Sequence, residues 1–280
     1  MPIVRQLFDR TRQISIAFRD AGRLREIVSI LLKHGFGYLL RDVEVPGMGT
    51  VDAGPEDAAL ALAQKDAPER ALRVINELGP TFVKLGQILS TRPNLVPPAF
   101  IEAFQQLQDQ VDPIDFEAVQ AQLLINLGEE KVKLFKHIHP TPLASASIAQ
   151  VHRATLESGE EVIIKVQRPG VRETLLQDIE VLKFLGRQVE SNFPEAKLLD
   201  PVGIIKEIER SVRAECDFMT EANNLKRFSK NFEERDTVLI PQLFPELTTS
   251  EILTERYIAG AKITQADQAG HDPRARGPHP

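Results

Sequence analysis

Glu161-Val162-Ile163-Ile164-Lys165-Val166-Gln167 is the stretch on which the fold turns. Valine and isoleucine crowd it, as they crowd strands with little exposure on either face. A lysine nevertheless stands near its centre. An unpaired buried charge is expensive, so Lys165 must snorkel, pair or be neutralised. Two readings are open. An edge-strand lysine discourages strand-on-strand aggregation. A nucleotide lysine grips α- and β-phosphates and is held by a glutamate on a helix. The second reading demands a small-residue loop one hairpin upstream and an acid on a following helix.

Both demands have candidates. Ser158-Gly159 supplies a turn before the strand, and Ile148–Thr155 alternates with β-branched residues, so the two runs read as a hairpin. Leu134–His139 is a further short strand. Between the first two strands lies Ala144-Ser145-Ala146-Ser147-Ile148-Ala149-Gln150-Val151-His152. Small side chains let a backbone approach phosphates, and Ser145 and Ser147 add hydroxyl donors. Alanine reaches positive φ less readily than glycine, so this loop should be stiff. Standing alone, it is an ordinary small-residue turn. Downstream, helical patterning runs from Val171 to Lys230, broken near Asn192–Pro194 and at Asp200-Pro201, an N-cap followed by proline at the first helical position. Glu215, Asp217 and Glu221 cluster in Arg213-Ala214-Glu215-Cys216-Asp217-Phe218-Met219-Thr220-Glu221-Ala222-Asn223. Asp217 and Glu221 fall one turn apart and can serve Lys165 or a metal; a solvated helix face explains any one of them equally well. Thr237–Ile240 and Glu251–Ile258 read as two more strands. The order predicts an α+β lobe, an antiparallel sheet with one long helix inserted after its third strand.

The first half is helical. Residues 57–128 are punctuated by Pro68, Pro80, Pro93, Pro97, Pro98 and Pro113. Within them, Phe82-Val83-Lys84-Leu85-Gly86-Gln87-Ile88-Leu89-Ser90-Thr91-Arg92-Pro93 places Lys84, Gln87 and Thr91 on one helix face and Phe82, Leu85 and Leu89 on the other. Gly86 costs helix stability, so something should pack closely against it. Residues 1–44 read as amphipathic helices in which Leu24, Ile27, Val28, Leu31 and Leu32 recur among basic residues. That stripe either packs on the rest of the protein or lies on anionic lipid. Residues 45–56, with prolines and glycines and no periodicity, read as a linker.

Composition narrows the classes. A net charge of -6 over 280 residues argues against a general nucleic-acid binder. A single cysteine, Cys216, makes no internal disulfide and no cysteine zinc site. His34, His137, His139 and His152 lack metal-ligand spacing, and His137 and His139 read as packing residues, so no metal site is assigned. Charge interrupts the first residues too often for a secretory signal, and no run is long enough to span a bilayer. A cytoplasmic protein, soluble or peripheral at the membrane's inner face, is the expectation.

Taken together the motifs resemble the UbiB/AarF atypical kinases. The resemblance rests on Lys84-x-Gly86-Gln87, the alanine-rich loop, Lys165 followed by Gln167-Arg168-Pro169-Gly170-Val171, and Glu215-x-Asp217 with Glu221-Ala222-x-Asn224, in that family's order. It covers roughly residues 70–260. It implies a protein-kinase-like N-terminal lobe (residues 129–260) preceded by a helical extension that lies over the cleft. It implies ATP or ADP with magnesium, ubiquinone biosynthesis, and lipid-soluble quinone precursors or a membrane surface as partners. By position, Lys165 and Glu221 would be the ion pair at the nucleotide, with Ala144, Ser145, Ala146, Ser147, Ile148 and Ala149 as the phosphate loop. Lys84 and Gln87 would reach into the cleft and meet Glu215 and Asp217. Backbone near Glu255 and Tyr257 would read adenine.

One feature departs from the family. A kinase needs a second lobe carrying a catalytic-loop Asp and the metal-binding Asn and Asp, and residues 261–280 are too few to supply it. His271-Asp272-Pro273 echoes such a loop but follows the adenine-reading strand too closely. A chain without that lobe is expected not to turn over ATP and to bind nucleotide weakly or not at all. The rival reading is a non-catalytic module that docks on a membrane or partner and keeps a vestigial nucleotide lobe.

Overall fold

The computed structural model describes residues 21–40, 43–51, 65–93, 95–107, 111–192, 198, 200–235 and 237–260. Expectations for residues 1–20, for residues 52–56 of the linker, and for the 261–280 tail with His271-Asp272-Pro273 fall outside them. Two compact units emerge. One comprises residues 1–109 and 170–213, the other residues 110–169 and 214–280. The 129–260 block read as one lobe is therefore divided, because the helices that follow the lysine strand go with the helical unit.

The helical unit contains α1 (Ala21–Lys33), a 3-10 turn at Gly37–Leu40, β1 (Glu44–Val45), β2 (Gly49–Thr50), α2 (Ala67–Leu78), α3 (Pro80–Ser90), α4 (Pro98–Phe104), α7 (Val171–Asn192) and most of α8 (Pro201–Glu215). Leu24, Ile27, Val28 and Ile30 bury the stripe of α1 within this unit, while Leu32 stays exposed. The packed-helix alternative accounts for that segment. The stretch read as a linker opens with a tight ribbon, Glu44 opposite Thr50 and Val45 opposite Gly49. Asp200 and Pro201 start α8 as expected, with the Gly203 N–H donated to Asp200 Oδ1 at 2.9 Å. None of the described helices is long and apolar enough to cross a membrane.

The sheet unit contains α5 (Phe116–Leu127), α6 (Glu129–Val132), β3 (Phe135–Ile138), β4 (Ala144–Ser145), β5 (Ala149–Leu156), β6 (Glu161–Gln167), α9 (Phe218–Asn231), a 3-10 turn at Pro245–Leu247 and β7 (Ile252–Arg256). The antiparallel order is β3-β5-β6-β7, with β4 continuing the β3 edge along β5. Gly159, at φ +89°, lets the chain reverse between β5 and β6. One face of the sheet meets α5 through Val119, Leu123 and Leu127, which pack on Ala154, Leu156, Val162, Ile164, Val166 and Ile252. On the other face Phe218, Ala222 and Leu225 of α9 cover Ala149 and Leu253. Heptad-like spacing on a short helix and alternation on the strands produce these two layers.

Four expectations are corrected. Thr237–Ile240 is not a strand; the chain pairs later, where Phe244 N donates to Thr254 O and Arg256 N to Gln242 O. Among the described residues three α-helices, not one, separate β6 from β7. The supposed single helix through Glu215 and Glu221 breaks at Cys216, ending α8 and starting α9. His137 and His139 do not pack inside; they are exposed, with rings 4.7 Å apart edge to face.

Candidate functional site

The interior strand β6 presents Lys165 opposite Val151 on one side and Leu253 on the other. Its Nζ donates to Glu221 Oε2 at 2.7 Å and lies 4.9 Å from the centre of the Phe218 ring. Both partners keep solvent access, 31% for the lysine side chain and 45% for the glutamate. Such a pair adds about 0–1 kcal/mol to stability. Stability alone does not explain a lysine in a Val/Ile strand, and the edge-strand reading fails because β6 is interior.

Glu221 is placed by the start of α9. Asp217 is the N-cap, its Oδ1 accepting from Met219 N at 3.0 Å. Phe218 N donates to Ser250 O at 2.9 Å, and Ala222, fully buried and small, lets the helix approach the sheet. Gln167 reinforces this from β6, donating its side-chain amide to the Cys216 carbonyl at 3.0 Å. Asp217 therefore serves backbone first, and its sequence signal was the cap pattern of an Asp one residue before an apolar helix start.

The alanine-rich segment is more ordered than a free loop. Ala144 and Ser145 pair with Val151 and Gln150, and Ala146 N donates to Ala149 O at 2.8 Å, closing a tight turn. Ser147, Ile148 and Ala149 are buried. The Ser145 hydroxyl is already engaged, donating to Gln150 Oε1 at 3.3 Å and accepting from Arg168 Nη2 at 2.7 Å. Sequence reasoning named Arg168 only within a motif and passed over Gln150. Gln150 is buried: its Oε1 accepts from Ile114 N at 2.9 Å and its Nε2 donates to Ile114 O at 3.2 Å. Those backbone partners fix the amide's orientation, so Gln150 Nε2 donates to His152 Nε2 at 2.8 Å, and His152 Nδ1 donates to His139 O at 2.7 Å. Burial pushes the His152 pKa down, which favours this neutral ring.

At the other end of the same face, Glu255 lies opposite Ile163. Burial lifts its pKa and the charge of Glu221 adds to the lift, with Lys165 opposing. The Tyr257 ring stacks on the Arg153 guanidinium at 4.5 Å, and Tyr257 N donates to Glu161 O at 2.9 Å. The N–H groups of Arg256 and Tyr257 are thus both engaged, by the Gln242 and Glu161 carbonyls. A separate cavity of about 490 Å³ lies between the outer part of α9 and residues 240–245, away from Lys165. Among the described residues no three His, Cys, Asp or Glu gather to hold a metal.

Lys84, Gly86 and Gln87 lie on α3 in the helical unit. A side chain at Gly86 would run into Leu107 and Ile75, which is the close packing its cost in a helix predicts.

Residues 106–274, more than half of the chain, match the ABC1 atypical kinase-like domain. The chain belongs to the ABC1 atypical kinase-like family. A Clostridium pasteurianum protein named "Uncharacterized protein in hydrogenase 1 5'region" is 37% identical over 241 residues, 86% of this chain and 42% of its own length. A "Probable protein kinase UbiB" from Photobacterium profundum is 38% identical over 204 residues, 72% of this chain and 37% of its own. This ABC1 chain thus spans about two fifths of the curated relatives it matches. The solved complex of Rv3197 with erythromycin from Mycobacterium tuberculosis superposes with a TM-score of 0.53 at 27% identity, covering 76% of this chain and 53% of that one. The UbiB/AarF resemblance and the α+β, kinase-like fold drawn from the motifs both hold.

Proposed function

We propose that this chain carries the nucleotide-gripping part of a UbiB-type atypical kinase linked to ubiquinone biosynthesis. The observation that carries the reading is the Lys165–Glu221 pair, 2.7 Å apart and partly open to solvent, beside the cluster of Phe218 and Leu253 in which Ala149, at the end of the β4–β5 turn, also packs. An ammonium held by a carboxylate is oriented, and it can exchange part of that contact for phosphate oxygens. The residues present fit the phosphate end of ATP or ADP. Phosphoryl transfer is not part of the proposal, and binding is expected to be weak.

Saturation-transfer NMR with Mg·ADP is suited to weak binding. Signal from the wild-type chain that disappears in Lys165→Ala is the expected result. Equal signal in both would end the proposal, and no signal in either would favour the docking-module reading. The motif on α3 enters through the resemblance, which has Lys84 and Gln87 serving the acids Glu215 and Asp217. A Lys84→Glu chain that binds Mg·ADP as the wild type does would remove that part.

A further inference from the structure

Arg168 follows the lysine strand directly and bonds the β4–β5 turn through both its side chain and its backbone. Its Nε donates to the Ala146 carbonyl at 2.8 Å. Its Nη2 donates to Ser145 Oγ at 2.7 Å and to the Asp112 carbonyl at 2.7 Å. Its backbone N–H donates to the Ile148 carbonyl at 2.9 Å. The guanidinium is half sheltered; burial lowers its pKa and Asp112 offsets part of that. Proline at 169 ends the strand here, so the side chain is delivered from a fixed backbone.

We propose that Arg168 is a positioning residue for the turn, holding Ser145–Ile148 in one conformation before a ligand arrives. This rests on the nucleotide reading above and extends it to a residue that reading does not use. A glycine-rich phosphate loop is loose, and its ordering is a cost of binding. Here the turn has alanines in place of glycines, and a five-donor fork clamps it from behind. The clamp also turns the Ala146 carbonyl, an acceptor that would repel phosphate, onto a cation. A lysine is a point donor on a flexible stem and lacks the fixed fork that matches these three acceptors. The Gln150 amide completes the arrangement, since it holds both Ser145 and the Ile114 backbone beside the Asp112 carbonyl that Arg168 also binds.

Amide hydrogen exchange of residues 145–149, with and without Mg·ADP, is the test, combined with saturation-transfer titration. Arg168→Ala should speed exchange of the Ala146 amide and weaken Mg·ADP binding by about tenfold each, the worth of one charge-assisted hydrogen bond. Arg168→Lys should recover part of both. Lys165→Ala should lose binding while leaving turn exchange unchanged, which separates the two residues. Unchanged exchange in Arg168→Ala overturns the proposal, even if binding falls, because Arg168 would then act on the ligand directly. If Arg168→Ala fails to fold, Arg168→Lys and Ser145→Ala carry the comparison, and wild-type exchange in both overturns it. If the wild-type chain binds no Mg·ADP, the nucleotide reading falls, and the exchange of the ligand-free turn still decides what Arg168 does.

Discussion

The two units each contain a prominent ion pair, and the pairs are built on opposite plans. In the helical unit Asp178 of α7 is sealed at 1% exposure. Its carboxylate accepts from Arg23 Nε at 2.6 Å, Arg23 Nη2 at 3.1 Å and the Thr81 hydroxyl at 2.6 Å, while Arg23 Nη2 also reaches the Leu78 carbonyl. That network joins α1, the end of α2, the first turn of α3 and α7. In the sheet unit Lys165 and Glu221 make one contact and keep water. A sealed carboxylate that accepts three hydrogen bonds holds helices in register; an open pair with one contact can trade a partner for a ligand. Proximity of opposite charges is the same in both cases, and access is what separates a fastening from a site.

The largest expected effect lies at the sealed pair. Asp178→Ala leaves the partly buried Arg23 guanidinium with only the exposed Glu26 carboxylate and takes from Thr81 the acceptor it has here. Breaking such a pair by removing one partner costs about 3–5 kcal/mol, which should appear as a lower urea midpoint of the helical unit. Lys165→Ala should move that midpoint little, about 0–1 kcal/mol for a solvent-exposed pair, while abolishing the Mg·ADP signal. A similar loss of stability at both sites would erase the distinction between them. Stability lost only at Asp178 and binding lost only at Lys165 would sharpen it.

How legible these pairs were follows from how much of each lies in local pattern. Lys165 stands out because a charge interrupts a Val/Ile run, and Glu221 follows once a helix partner is sought. The hairpin of β5 and β6 is written in alternation and in Ser158-Gly159. Asp178 carries no such signal: on α7 it sits among Gln177, Glu180 and Lys183, and its burial depends on α1 and α3, more than 90 residues away in sequence. The failed strand at Thr237–Ile240 has the same origin. Its apolar residues fit a strand, yet Leu239 is left exposed and the pairing with β7 falls to Gln242–Phe244. Asp217 has a local cap signal that competes with unbroken helical patterning, and the break at Cys216 that decides between them depends on bonds to Ser250 and Gln167. Arg168 and Gln150 were missed for a related reason, since their partners are backbone carbonyls and amides that carry no residue identity.

The smallest expected effect is a titration at the open face. Glu255 shares that face with Glu221 and Lys165. Burial raises its folded pKa above the ordinary 4.5 and Glu221 raises it further, with Lys165 pulling the other way. A carboxyl whose folded pKa is raised favours the folded chain while protonated. Its contribution is fully present below the unfolded value and is lost as pH rises through the folded value. Above that window the folded chain holds two carboxylates beside one ammonium, and part of its stability has gone. Glu255→Gln keeps the shape and removes the proton equilibrium. Its advantage in urea midpoint over the wild type should therefore grow as pH rises from the ordinary carboxyl value through the raised folded one, and then level off. Mg·ADP binding should not follow that trend, because Lys165 bonds Glu221 and not Glu255. Parallel pH profiles for the two chains would show that Glu255 is not held against its charge, and that the open face tolerates its second acid without strain.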